Sequence, residues 1–236
     1  MKLFVFQIAI LFILATVTNV EAQVINAGIG GNNTVNLLAR LDSDVLTKQP
    51  DLVILMVGTN DMLNSNKMIT YSDYTENLTL IVEKIQATGA KVLLMCPPPV
   101  DSVYLFQRHE RSLFAEAPNV KMDTVCQIVQ RIAGQSGSFC INLFQEFNKM
   151  NLPRHNEDLF FRNPMNCGKP DGVHPTALGY RFIGELVFRY LKTNNLLSEN
   201  LKIVCFGDSI TFGSGAKGGG TVAGENYPSV LSALIK

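Results

Sequence analysis

Short runs rich in Val, Ile and Leu alternate along the chain with segments whose apolar residues recur at helical spacing. Residues 23–27, 51–57, 91–96, 139–142 and 201–206 have the length and near-continuous apolarity of strands buried on both faces. Between them, residues 34–41, 75–88, 120–132 and 175–191 carry apolar stripes three and four apart; Leu78, Ile81, Val82 and Ile85 form one. Residues 227–235 add a short helix with Pro228 in its first turn. Strand–helix alternation of this kind predicts an α/β fold, a three-layer α/β/α sandwich around a mostly parallel five-stranded sheet. Residues 193–200 read as a linker and 213–224 as a flexible glycine-rich loop.

The amino terminus breaks this pattern. Met1-Lys2 precedes an apolar run over residues 3–17, and Val20-Glu21-Ala22 offers small residues at the positions a signal peptidase reads. The run is short for crossing a bilayer. Residues 1–22 are therefore expected to be a cleaved signal peptide, leaving residues 23–236 as one secreted or periplasmic domain with no stable membrane insertion.

Composition narrows the function classes. The chain is 47% hydrophobic and only 17% charged, which excludes a disordered polyelectrolyte. Twenty basic and twenty acidic side chains give no net charge, so there is no general attraction to nucleic acid or to anionic membranes. The five cysteines (Cys96, Cys126, Cys140, Cys167 and Cys205) leave at least one unpaired or intermolecular, and their spacings match no metal motif. Cys96 and Cys205, within apolar runs, read as buried thiols.

Four segments carry candidate chemistry. Gly207-Asp208-Ser209 follows the last strand, where a serine entering a turn has an exposed hydroxyl and a free N–H. Gly28-Ile29-Gly30-Gly31 closes the first strand, and its backbone N–H groups can face an anion. Gly58-Thr59-Asn60-Asp61 closes the second and brings an amide donor. Asp171-Gly172-Val173-His174 precedes a helix, with an acid spaced to hold one imidazole nitrogen and leave the other as a base. Each alone is ordinary turn or cap chemistry. Together they supply a nucleophile, a base, an orienting acid and oxyanion donors, the parts of acyl transfer without a cofactor or metal. His109 and His155, lacking such a neighbour in sequence, read as structural or exposed. Nucleotide-binding readings fail, since Gly215-Ala216-Lys217-Gly218 is no P-loop and the Gly28–Gly31 run lacks the third glycine of a dinucleotide fingerprint.

These blocks resemble the SGNH (GDSL-type) esterase and lipase family over essentially the whole chain after the leader. The resemblance implies that fold, described as flavodoxin-like. It implies Ser209 as nucleophile, His174 as general base and Asp171 as its orienting acid. The Ser209 and Gly31 N–H groups and the Asn60 amide would form the oxyanion hole. Gly30 stands where many members have serine. The order departs further: the Gly-Asp-Ser block, first in the family, comes last here. A circular permutation accounts for this, with residues 227–236 leading into the strand at 23–27 and residues 193–200 joining the usual last helix to the usual first strand. The last strand should then insert between the first two. A truncated tandem, with a second domain starting at Leu201, is the alternative. The family implies a short acyl ester, acetyl above all, on a small molecule or polysaccharide. Alternatives are a lysophospholipase or thioesterase on the same site, or an inactive carbohydrate- or lipid-binding module. Residues 100–118 and 144–165 are candidate pocket linings.

Overall fold

Five strands form one sheet in the order β1-β5-β2-β3-β4, every neighbouring pair parallel. They are β1 (Gln23–Gly28), β2 (Leu52–Met56), β3 (Lys91–Cys96), β4 (Phe139–Asn142) and β5 (Lys202–Gly207). This computed structural model describes residues 22–236; apart from Ala22, the expected leader lies outside the described residues. Although last in sequence, β5 occupies the place the block order demands. Gln23 to Gly28 pair with Lys202 to Gly207 on one side, and Leu52 to Met56 pair with Ile203 to Gly207 on the other.

Ten α-helices follow the chain among the described residues: α1 (Thr34–Asp44), α2 (Thr59–Leu63), α3 (Tyr71–Gln86), α4 (Ser102–Leu105), α5 (Pro118–Ser136), α6 (Leu143–Lys149), α7 (Pro164–Cys167), α8 (Ala177–Thr193), α9 (Ser209–Phe212) and α10 (Tyr227–Leu234). Strand side chains alternate between two cores. Val53, Leu55, Val204 and Phe206 pack with Leu37, Leu78, Ile81 and Val125, so α1, α3 and α5 cover one face. Leu52, Ile54, Ile203 and Cys205 pack with Ile183, Val187, Leu231 and Phe147, so α6, α8 and α10 cover the other. That is the expected α/β/α sandwich, and no described helix is long and apolar enough to cross a membrane.

Caps explain where the helices depart from the apolar stripes. Thr70 and Asp73 form a reciprocal capping box that starts α3 at Tyr71, ahead of its first striped residue. Pro118 at the first turn starts α5, and Gly137 in the left-handed region ends it. The short α2, α4, α6, α7 and α9 carry too little periodicity to be predicted. Residues 213–224, expected to be flexible, are tied down instead. Asn226 Nδ2 donates to the Gly218 and Thr221 carbonyls at 2.9 and 3.1 Å, and Gly220 N–H donates to Phe212 O at 2.7 Å. All five cysteines are free thiols, and Cys96, Cys126 and Cys205 are buried.

Candidate active site

The carboxyl ends of β1, β5 and β2 converge on one cleft, where open α/β sheets place their ligands. After β5, Asp208 caps α9 by accepting from Ile210 N–H at 2.9 Å, and this buries the carboxylate while Ser209 turns toward the cleft. Ser209 is the first residue of α9, so its N–H has no acceptor within the helix. After β1, Gly31 adopts φ of +73°, a left-handed conformation that suits glycine. Its N–H makes no hydrogen bond among the described residues. After β2, Asn60 Nδ2 donates to Asn32 O at 3.0 Å and its Oδ1 accepts from Asn64 at 3.1 Å. Both bonds orient the amide and leave its second N–H free for the cleft.

The candidate base, His174, arrives on a separate support. Residues 160–162 and 172–176 run antiparallel, with Arg162 N–H donating to His174 O, Gly172 N–H to Arg162 O, and Thr176 N–H to Phe160 O. His174 Nδ1 lies 2.9 Å from both carboxylate oxygens of Asp171, and Nε2 lies 3.0 Å from Ser209 Oγ. A carboxylate only accepts, so Nδ1 carries the proton and Nε2 is left bare to accept from the serine hydroxyl. Asp171 Oδ1 also accepts from the N–H groups of Val173 and His174. Burial works to raise the Asp171 pKa, but the His174 side chain and these two N–H donors outweigh it and hold the carboxyl at about 2. Arg162 and Arg108 stand at 3.6 and 3.7 Å.

Gly30, Gly31, Asn60, His174 and Ser209 line the same cleft of about 320 Å3. Every candidate read from the motifs is therefore brought together. A larger cleft, about 780 Å3, opens at the other end of the sheet between Leu52, Lys91 and Leu201, but no histidine or cysteine lines it. The smaller cleft holds the candidate residues.

Three features escaped the sequence. Arg40, inside the α1 stripe, donates to Ala27 O at 2.9 Å, to Gly207 O at 2.8 Å and to Asn32 Oδ1 at 2.7 Å, joining the turns after β1 and β5. His155 does have an acidic neighbour, for its Nδ1 lies 2.7 Å from Asp101 Oδ2, a partner 54 residues away that local spacing cannot reveal. His109 lines the cleft, as do Leu105 and Arg108; residues 144–165 supply no lining residue.

The family profile described as GDSL-like Lipase/Acylhydrolase matches residues 13–182. The chain belongs to that family. By class it is a carboxylic ester hydrolase. The matched stretch takes in Gly31, Asn60, Asp171 and His174 and ends before Ser209. An uncharacterized lipoprotein, YqeF, of Bacillus subtilis is 29% identical over 111 residues, covering 43% of this chain and 46% of that protein. An acetylxylan esterase of Geobacillus stearothermophilus is 24% identical over 183 residues, covering 72% and 75%. Among solved structures, a lipase/acylhydrolase from Enterococcus faecalis shares 25% identity with a TM-score of 0.55, over 70% of this chain and 72% of that one. The chain thus spans under half of the first relative and about three quarters of the second.

Proposed function

We propose that this protein hydrolyses short-chain acyl esters, acetyl esters of carbohydrates above all, through an acyl-enzyme formed on Ser209. Ser209 Oγ attacks the ester carbonyl as His174 Nε2 takes its proton, and Asp171 stabilises the resulting imidazolium. The carbonyl oxygen becomes an oxyanion facing the N–H groups of Ser209 and Gly31 and the free N–H of Asn60. The tetrahedral intermediate collapses, His174 returns the proton to the departing alcohol oxygen, and water repeats the sequence to release the acid. The observation that carries this reading is the unbroken Asp171–His174–Ser209 hydrogen-bond chain, at 2.9 and 3.0 Å, beside unpaired backbone donors.

A small cleft supports a small acyl group, and the acetylxylan esterase relative supports an acetylated carbohydrate. In the same reading, residues 1–22 are a signal peptide and residues 23–236 a single secreted or periplasmic domain. That domain is a circular permutant whose nucleophile block has moved to the end. The insertion of β5 between β1 and β2 supports the permutation, as does the packing of α10 against α8 and β1. A fluorophosphonate probe should label the protein and fail to label Ser209→Ala. A panel of p-nitrophenyl esters should show rates falling beyond short acyl chains. An unlabelled, properly folded wild type would overturn the proposal.

A further inference from the structure

His109 lines the cleft with Ser209 and His174, and its surroundings determine which nitrogen carries its proton. Ser65 N–H donates to His109 Nδ1 at 3.3 Å, and Ser65 Oγ lies 3.3 Å from the same atom. A backbone N–H can only donate, so Nδ1 is bare and the neutral ring carries its proton on Nε2. Ser65 does not line the cleft. The one polar group His109 can offer a ligand there is therefore the Nε2–H donor. Burial, and then the neighbouring Arg108 guanidinium, push the His109 pKa below its ordinary 6.5 and keep the ring neutral.

Arg108 adds further donors to the same wall. One of its N–H groups is committed to Asp171 O at 2.8 Å, and a guanidinium has no acceptor to offer. Leu63, Leu105 and Val173 supply the apolar remainder of the lining. A hydrocarbon alcohol entering this cleft would strip water from the donors and replace none of the lost bonds. An alcohol rich in hydroxyl and ether oxygens would satisfy them.

We propose that His109, together with Arg108, forms a donor wall that binds the alcohol half of the ester and selects carbohydrate alcohols over hydrocarbon ones. This rests on the ester-hydrolase reading above and assigns its specificity to named groups. The test compares two acetyl esters differing only in the alcohol, an O-acetylated methyl xyloside and hexyl acetate. The wild type should favour the sugar ester. In His109→Phe the ratio of the two kcat/KM values should fall about tenfold, mostly through a higher KM for the sugar ester. His109→Gln, which retains an N–H donor, should recover most of that loss. An unchanged ratio in the Phe variant, or a Gln variant no better than Phe, overturns the proposal. Inhibition of the wild type by the free alcohols gives a reading that depends on no variant. Methyl xyloside should compete at lower concentration than hexanol, and the reverse order overturns the donor wall. Fluorophosphonate labelling separates the two levels: labelled Ser209 with no sugar preference sinks only the donor wall, and no labelling sinks the hydrolase reading as well.

Discussion

His174 Nε2 stands 3.0 Å from Ser209 Oγ across 35 residues of sequence, with the histidine first in the chain. Each is anchored independently, Ser209 by the buried Asp208 cap after β5 and His174 by the ladder between residues 160–162 and 172–176. Gly172, at φ of +68°, lets that ladder close against Asp101; a Cβ there would stand 2.9 Å from Asp101 O and from Tyr104 Cβ. The contact is a meeting of two rigid supports rather than of neighbours in sequence. The sheet, by placing β5 between β1 and β2, holds the two supports against each other although the Ser209 block comes last in the chain.

Asp171→Asn tests the relay. The substituted oxygen can still accept from the Val173 and His174 backbone N–H groups, so the turn is retained. The amide nitrogen would then face Nδ1 and favour the opposite imidazole tautomer. We expect kcat on p-nitrophenyl acetate to fall by about 10^3–10^4-fold with an unchanged circular dichroism spectrum. A loss under tenfold would leave Asp171 without an orienting role.

Arg40→Met tests whether the two loops are tied through one side chain. The guanidinium is largely buried, stacks over the Phe206 ring at 4.5 Å and bonds the ends of β1 and β5. Charge-assisted bonds of this kind contribute about 1.5–3 kcal/mol each when lost from a buried setting. Denaturant titration should show a loss of at least that size. The fluorophosphonate labelling rate should fall too, because the Gly31 and Ser209 donors are no longer in register. Unaltered labelling would restrict Arg40 to stability alone.

Two carboxyls give the stability profile opposite slopes. Asp171 is held at about 2, below the ordinary 3.8, so its contribution is fully present above pH 4 and lost as pH falls through about 2. That amounts to about 2 kcal/mol at 1.36 kcal/mol per unit. Asp208 is raised to about 7, by burial and more weakly by the nearby Asp61 charge, and its Oδ2 has no hydrogen-bond partner among the described residues. Between pH 4 and 7 the unfolded chain has released this proton and the folded chain has kept it, so stability declines as pH rises. Urea titrations at pH 3, 5 and 8 should find that decline in the wild type. Asp208→Asn keeps the cap oxygen for Ile210 N–H and should flatten it. An unchanged slope would mean that Asp208 is already ionised at pH 5 despite its burial.

Much of this architecture is legible in the sequence. All five strands lie within two residues of their expected ends, because buried parallel strands read as unbroken Val, Ile and Leu runs, and the Gly-Asp-Ser, Gly-Gly, Asn60 and Asp171–His174 blocks are local in sequence. What escaped is non-local. Arg40 looks like any charged residue on a helix until its partners at residues 27, 32 and 207 are known. Neither the Asp101–His155 pair nor the Ser65–His109 pair has a sequence signature, since their members are 54 and 44 residues apart. The glycine-rich stretch 213–224 misled for a related reason: composition suggests mobility, but side chains from outside it, Asn226 on Gly218 and Thr221, Tyr180 on Ser214 and Arg162 on Gly215, pin it.

The proposed permutation can be reversed in the laboratory. A short Gly/Ser linker would join Lys236 to Gln23, and the chain would be opened in the 194–200 loop that precedes β5. The new order places the Ser209 block ahead of Gly31, Asn60 and His174. No strand pairing changes, because β5 still enters between β1 and β2. The opened loop is exposed apart from buried Leu196 and half-buried Leu197, and a cut at residues 198–200 leaves both attached to α8, so few buried contacts are cut. α10 already packs on β1 and α8, which keeps the joined ends on one side of the sheet. We expect the relinked protein to fold to the same sheet and to retain kcat/KM on p-nitrophenyl acetate within about tenfold, since linker closure of this length alters stability by only about 1 kcal/mol. A relinked chain that is insoluble or unlabelled by fluorophosphonate, across several linker lengths, would argue that the present order is required for folding.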